Sequence, residues 1–446
     1  MIVSLRCENF RCFRDTGLLE LAPITILVGE NNSGKSAIIQ ALHLPALTLQ
    51  SEDPGVCLKL LHQDYDYGSF KDLVFQHKGG ESVTLSFGTI AEISMMSGKK
   101  LRTNGVQATL HLTYGYLPRR KEIYLVKFVI EDAEGERLSI HPDKYSGSMK
   151  VSMRNHEDKA AYLSRLFIRK GLFFEPYPSP FSFYTRLERK YGEEIADKLV
   201  GDIIKNDILI GEFLSDFRKT RHLGPLRTPP SRTYLYTGEI ADKVGARGEA
   251  ALQIYSALLR RGKREDREKA SFINKALYQL GFIKNLDVQE VGPMHYEFWT
   301  QHEESSFRAN LADTGFGASQ VLPVIVSLCT SSPGSTLLYE QPEIHLHPAA
   351  QAELGSVFVK ACSPEKRIVI ETHSENLILR IQTEVAKGNL KPEDVRFYYT
   401  QPNSKGHKVI SIPLSEKGEF LVKWPKGFFE EGYQESLKLS RARHKG

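Results

Sequence analysis

Hydrophobic positions along the chain follow two different rules. Ile26-Leu27-Val28, Thr336-Leu337-Leu338-Tyr339 and Ile368-Val369-Ile370 are short unbroken apolar runs, the signature of strands covered on both faces. Each is followed by a polar turn and then an apolar helical stretch, or preceded by one, as in AIIQAL, VLPVIVSLC and ENLILRI. This alternation predicts a largely parallel sheet clad in helices, built from residues 1–80 and 301–446. Between those lobes the pattern changes. SVTLSFGTIAEI, ATLHLTYGYL and EIYLVKFVIEDAEGERLSI alternate, with a turn at Glu134-Gly135, and predict an antiparallel β subdomain over 81–152. From Asp158, KAAYLSRLFIRK and EEIADKLVGDIIKNDILIGEFLSDFRKT take helical spacing; after the turn-rich RHLGPLRTPPSRTYLY it resumes from Gly248 to Tyr278. Residues 153–300 are thus expected to form a helical insertion. No heptad register persists, and neither an internal repeat nor a low-complexity segment is present.

Composition adds little to this picture. Of 446 residues, 41% are hydrophobic and 25% charged, which is ordinary for a globular protein, and the net charge is only +5. Cys7, Cys12, Cys57, Cys329 and Cys362 are scattered and lack C-x-x-C spacing, so they read as reduced thiols rather than disulfides or a zinc site. The start, MIVSLRCENF, has no apolar signal region, and no apolar stretch reaches the ~20 residues that cross a bilayer. A cytoplasmic protein without a membrane partner is expected.

The chemistry is concentrated after the first buried run. Gly29-Glu30-Asn31-Asn32-Ser33-Gly34-Lys35-Ser36 fits G-x-x-x-x-G-K-[ST] between an apolar strand and a helix, the setting that the motif requires. Glycines let successive N–H groups turn onto phosphate oxygens, and the helix N-terminus adds its positive end. Lys35 would reach the β- and γ-phosphates of ATP, and Ser36 would ligate Mg²⁺. Glu340, closing its apolar strand, supplies a carboxylate for the same Mg²⁺. His373 follows the next buried strand and so lies at the sheet's carboxyl edge, where a neutral imidazole can meet the γ-phosphate or a water. Leu311 to Gln320, with Thr314, Gly315, Gly317 and Ser319, is a small-residue loop opening onto a helix, able to present N–H groups to a phosphate. It lies so far along the chain that it is expected to serve a pocket on another subunit.

Phosphate loop, long insertion, glycine-serine loop, acidic strand and histidine occur in the order found in ABC-type ATPase heads. ENFRCFRDTG, TGFGASQVLPVI, EQPEIHLHP and ETHSENLILRI resemble the prokaryotic branch that includes RecF, the SMC heads and the overcoming-lysogenization-defect ATPases. VKWPKGFFEEGY resembles the DUF3696 segment appended to AAA-family members of that branch. The resemblance implies an α/β fold: a P-loop ABC-type ATPase head, a mixed sheet covered by helices, carrying a β subdomain and an inserted helical subdomain. It also implies a head-to-head dimer or higher oligomer, with each ATP held between Lys35 and Ser36 of one copy and Gly315, Gly317 and either Thr314 or Ser319 of the other. Where such heads carry a catalytic Glu after the Mg²⁺ acid, this chain has Gln341, which can orient water but not deprotonate it; Glu343 is the alternative base. Slow turnover used as a switch is expected. The glutamine that ligates Mg²⁺ between lobes is expected at Gln76, with Gln40 and Gln63 as alternatives. His345 and His347 lack a third ligand of suitable spacing and read as structural or subunit-contact residues.

Relatives of this branch, of the PARIS and Septu types, sit in anti-phage defence operons beside a separate effector. No nuclease constellation is visible here, so the resemblance implies a sensor or scaffold that controls a separate effector protein, in kind a nuclease. The alternative is a RecF-like repair or recombination ATPase acting directly on DNA. Arg218, Lys219, Arg221, Arg227 and Arg232 with Tyr234 and Tyr236, and the run Arg260 to Arg264, are the candidate nucleic-acid contacts within 218–264. Glu265, Asp266 and Glu268 dilute the second group towards an ordinary solvated face. A transporter subunit is disfavoured, because transporter heads place the glycine-serine loop much nearer the phosphate loop.

Overall fold

The computed structural model of the chain describes residues 1–97, 100–143, 148–164, 167–170, 173–176, 180–235, 238, 241–301, 307–424, 438 and 441. The N-terminal alternation forms β1 (Ile2–Phe10), β2 (Phe13–Asp15) and β3 (Leu19–Glu20), and the apolar run forms β4 (Ile24–Gly29). Helix α1 (Lys35–Thr48) is followed by the hairpin β5 (Leu61–His62) and β6 (Tyr65–Asp66) and a single turn, α2 (Phe70–Leu73). A meander follows: β7 (Val83–Ser97), β8 (Lys100–Leu117), β9 (Glu122–Asp132), β10 (Gly135–Pro142) and β11 (Met149–Met153). The short α3 (Ala160–Leu163) and the hairpin β12 (Phe167–Lys170) and β13 (Phe173–Pro176) lead into α4 (Pro180–Tyr191) and the long α5 (Glu193–Arg218).

The second half begins with β14 (Thr220–Leu223) and β15 (Tyr234–Leu235), then α6 (Ala251–Arg261) and α7 (Arg264–Gln279). After β16 (Asn285–Glu290), β17 (His295–Gln301) and β18 (Arg308–Asn310) come α8 (Phe316–Thr330), β19 (Thr336–Glu340) and α9 (Pro348–Ala361). The described head closes with β20 (Arg367–Glu371), α10 (Glu375–Ala386), β21 (Val395–Asn403) and β22 (Gly406–Ile412).

The parallel sheet expected from the apolar runs is present. Its order is β14-β19-β20-β4-β21-β22, parallel except for the β21–β22 hairpin. Alternate residues of each central strand feed different cores. Leu27, Leu338 and Val369 pack into the core shared with α1 and α5; Ile26, Leu337 and Ile370 pack into the core built by α6 to α10. Such strands have no polar face to alternate with, which is why they read as continuous runs.

Two expected boundaries fall elsewhere. β1 pairs antiparallel with β7, from Ile2–Thr89 to Glu8–Thr84, so residue 80 lies between strands of a single eight-stranded sheet. Residues 153–300 are also not purely helical. β14 joins the parallel sheet beside β19, and β15 to β18 form a four-stranded sheet. Strands of two to seven residues between helices are too short for a period-2 pattern to stand out. Among the described residues no helix is long and apolar enough to cross a membrane.

Helix α5 is locked to the antiparallel sheet through Phe217, fully buried and edge-on to Phe87 at a centroid distance of 4.9 Å. Phe217→Ala should cost about 3–5 kcal/mol through lost burial and the cavity left behind. Urea unfolding of the two proteins measures this, and a loss below about 1 kcal/mol would show that the contact is dispensable.

Candidate functional site

The phosphate loop leaves the carboxyl end of β4 and is shaped by two glycines that no other residue could replace. Gly29 has φ +148°, and a Cβ there would run into the Thr400 carbonyl. Gly34 has φ +101°, and a Cβ there would sit 2.6 Å from Cys12 Sγ and the Phe13 ring. Between them Ser33 is buried, its Oγ 2.6 Å from Thr400 Oγ1, which ties the loop to β21. Gly34 caps α1 with no side-chain hydrogen bond, so the helix N-terminus faces the cavity uncapped. Lys35 is buried, and its Nζ donates to the carbonyls of Gly29 (3.0 Å) and Glu30 (2.8 Å). Burial lowers its pKa, against a smaller pull from Glu371.

Asn31, Asn32, Ser33, Gly34, Lys35 and Ser36 wall a cavity of about 770 Å³, closed by Gln341, Glu371 and His373. The carboxylate that meets Ser36 is Glu371, whose Oε2 and Oε1 accept from Ser36 Oγ at 2.9 and 3.1 Å. Glu340, expected in that place, is one strand further away, since β20 lies between β4 and β19. Glu340 and Glu371 are register partners at the ends of their strands, and Glu340 accepts from His222 Nε2 at 2.7 Å. Burial pushes the Glu371 carboxyl up to about 7; neighbouring Glu340 adds to this, while Ser36 and Lys35 pull it back.

Gln341 takes the left-handed φ of +45°, and its N–H donates to the Glu371 carbonyl at 2.8 Å. A non-glycine residue in that region stores strain, and such outliers cluster at functional sites. Gln341 and His373 also border a second cavity of about 490 Å³, together with Glu343. Glu343 is buried. Its Oε1 accepts from Thr372 Oγ1 (2.7 Å) and from the His373 N–H (2.9 Å), so it holds the turn after β20 in place. Burial raises its pKa. Burial, aided by Lys35, lowers that of His373, which keeps the imidazole neutral.

Thr314, Gly315 and Gly317 lie elsewhere, in a cavity of about 410 Å³ shared with Phe282, His345 and His347. Gly315 caps α8 without a side chain, and Ser319 is buried in the helix's first turns. His347 accepts from the Ala350 N–H as the cap of α9. The 770 and 410 Å³ cavities have no lining residue in common. Gln76 is exposed, with φ +55°, and is not on the wall of the 770 Å³ cavity; Gln40, one helical turn beyond Ser36, is on that wall.

Glu371, His222 and Thr400 were missed by sequence reasoning. Glu371 had a signal, since it ends its apolar run just as Glu340 does; the other two had none. Of the basic candidates, Arg227 is buried and Arg232 pairs with Asp313, while Arg218, Arg260 and Arg261 are exposed. Tyr236 lies outside the described residues.

The donor set fits a Mg²⁺-nucleotide. An uncapped helix N-terminus, a lysine folded onto loop carbonyls, a hydroxyl and two crowded carboxylates are what phosphates and a hard cation together satisfy. The fold and this site define a P-loop ATPase. The family model described as "AAA domain, putative AbiEii toxin, Type IV TA system" matches residues 155–380, just over half of the chain, and the chain belongs to that family. An AAA ATPase domain model matches residues 1–71, and the DUF3696 model, a protein family of unknown function, matches 390–439. Together these families support an ATP-binding ATPase. Among curated proteins no match was found. Solved structures with some likeness include an Smc head bound to the C-terminal winged-helix domain of ScpA, at 12% identity, covering 93% of this chain and 98% of that one, with a TM-score of 0.39. Another is an Smc head with an extended coiled coil bound to the C-terminal domain of ScpA, derived from Pyrococcus furiosus, at 9% identity, 99% of each chain and 0.38. A third is the SMC head from Thermotoga maritima, at 9%, 93% and 99%, and 0.36.

The raised Glu371 carboxyl has a consequence for stability. Its folded pKa of about 7 exceeds the ordinary 4.5, so the folded state holds the extra proton between those values. Its contribution is full below about pH 4.5 and is lost as pH rises through 7, by up to ~3 kcal/mol. In protein free of nucleotide and metal, Glu371→Gln should therefore gain on wild type as pH rises from 5 to 8. Urea unfolding across that range checks this, and a constant difference would refute it.

Proposed function

We propose that the protein is an ATP-driven switch whose heads associate around nucleotide and thereby control a separate effector. The observation that carries this reading is the division of the site. Lys35, Ser36, Gln341, Glu371 and His373 wall one cavity, and Thr314, Gly315 and Gly317 wall another. The two linings share no residue, and a second copy would bring the α8 N-terminus to face the first copy's phosphate loop.

On binding, Lys35 exchanges the Gly29 and Glu30 carbonyls for phosphate oxygens, and the loop N–H groups and α1 N-terminus take the remaining charge. Ser36 and Glu371, with Glu340 beside them, would hold Mg²⁺, which when bound supplies the charge that neutralises the phosphates. Gln341 orients the attacking water from its strained turn, and neutral His373 accepts a hydrogen bond on the same wall. Glu343 holds the His373 turn through Oε1. A glutamine in the water-facing place makes turnover slow, which suits a bridge that persists long enough to signal. The second copy's glycine-serine loop, with Gly315, Gly317 and either Thr314 or Ser319, is the signature loop that would meet this nucleotide.

The family description of a putative toxin and a type IV toxin–antitoxin system is the support for a role in defence; the nuclease as effector class is carried by the sequence resemblance alone. Direct action on nucleic acid through 218–264 is less well supported, because Arg227 is buried and Arg232 is paired.

Native mass by light scattering, with and without ATP–Mg²⁺, should rise on adding nucleotide, and wild type should release phosphate. Lys35→Ala should do neither. A mass independent of ATP, or phosphate release that survives Lys35→Ala, would end the switch reading.

A further inference from the structure

The segment His222-Leu223-Gly224-Pro225-Leu226-Arg227 stands out as a motif that neither the phosphate loop nor the signature loop absorbs. It begins on β14, which pairs with β19 in parallel register, His222 opposite Leu338 and Leu223 opposite Tyr339. From there the His222 side chain, 5% exposed, reaches along the neighbouring strand to its terminal acid and sets Nε2 2.7 Å from Glu340 Oε1. The ring has no freedom to turn away. It stacks on His43 of α1 at 4.9 Å and lies 5.3 Å from Tyr65, whose hydroxyl is 3.3 Å from Nδ1. With Nδ1 accepting from Tyr65, Nε2 carries the proton and donates to Glu340. His43 is itself fixed by Tyr67 Oη at 2.7 Å.

The other end of the segment grips the same turn by its backbone. Arg227 is 5% exposed, and its Nη2 donates to the carbonyls of both Glu340 and Gln341 at 3.3 Å. The Gln341 N–H is held from the opposite side by the Glu371 carbonyl. Its left-handed φ is therefore fixed between β20 and Arg227. Burying a guanidinium is costly, and here Nε and Nη1 have no hydrogen-bond partner among the described residues, with Glu343 supplying a compensating charge nearby. That cost goes with a residue used for where it puts its charge. Gly224 and Thr228 donate to the carbonyls of Ala246 and Arg247, which clamps both ends of the segment to the 244–250 loop.

We infer that residues 222–227 form a bracket on the acid turn, with His222 and Arg227 as positioning residues: His222 aims the Glu340 carboxylate, and Arg227 sets the backbone of Gln341. The inference rests on the assignment of Glu340 and Gln341 proposed above. The bracket sets how tightly the site takes its divalent cation through His222 and how fast water attacks through Arg227. It also makes Arg227 part of the nucleotide site rather than of a nucleic-acid surface.

The test uses the full chain with ATP and Mn²⁺, with free Mn²⁺ read by electron paramagnetic resonance and phosphate release measured in parallel. His222→Leu keeps the bulk but removes the donor; it should weaken Mn²⁺ binding about 10–100-fold and lower kcat, with KM for ATP little changed. His222→Gln, whose amide nitrogen reaches the Nε2 position, should restore most of both, whereas the shorter His222→Asn should not. Arg227→Lys keeps the charge but loses the fork, and should lower kcat while Mn²⁺ affinity stays at the wild-type value. Thermal unfolding of each variant identifies any that fails to fold; should His222→Leu fail, the Gln–Asn contrast decides. Wild-type Mn²⁺ affinity in His222→Leu, or equal behaviour of the Gln and Asn variants, would overturn the bracket. Lys35→Ala measured alongside separates the two ideas. If it still releases phosphate, the switch reading has failed; if it is inactive while His222→Leu is normal, only the bracket has.

Discussion

Two carboxylates end neighbouring parallel strands in register, and like charges at that spacing cannot both be left bare in a half-buried cavity. Much of the surrounding structure answers this constraint. Glu371 takes the Ser36 hydroxyl, Glu340 takes the His222 imidazole, and Lys35 adds a positive charge close to Glu371. Even so, burial first and the neighbouring Glu340 second hold the Glu371 carboxyl up at about 7, a shortfall of solvation and compensating charge at the pair. A cation entering with phosphates would relieve that shortfall, which gives nucleotide binding a driving force beyond the phosphate loop alone.

Such a site needs a stiff floor, and the two cores on either face of the parallel sheet provide it. One face of β4, β19 and β20 is packed by α1 and the core that runs into the antiparallel sheet and α5; the other is packed by α6 to α10. The phosphate loop, the acid turn and the His373 turn all leave the same edge of that floor, so a displacement of one is felt by the others. Glu343 makes the link explicit, since it sits after β19 and accepts from Thr372 and His373 in the turn after β20. In the proposed switch, a second copy closing over this edge would be sensed through the same few hydrogen bonds.

The basic residues between 218 and 264 show how far charge counted along a chain can stand from charge available at a surface. Arg227 reads as one of a cluster, yet it is buried and spends Nη2 on two backbone carbonyls; Arg232 is paired with Asp313, and Arg264 with Glu268. A pair on the surface is worth little to stability, but it does mask a phosphate contact. Burial, which no run of residues reveals, separates the positioning arginine from its neighbours.

Local rules were enough to read a good part of this protein from its residues. The phosphate loop, the parallel sheet and the strand-end placement of Glu340 and His373 follow from apolar runs, glycine spacing and turn chemistry, all of which act over a few residues. The β subdomain's strands were legible for the same reason, though not their continuity with β1, because pairing between residues 2–8 and 84–89 is a long-range contact. Tertiary structure alone decided which acid faces Ser36. That depends on β20 entering the sheet between β4 and β19, and strand order is set by packing rather than by any one strand's composition. It likewise decided the partners of that acid turn. His222 and Arg227 lie more than a hundred residues before Glu340, and only the parallel pairing of β14 with β19 brings them to it.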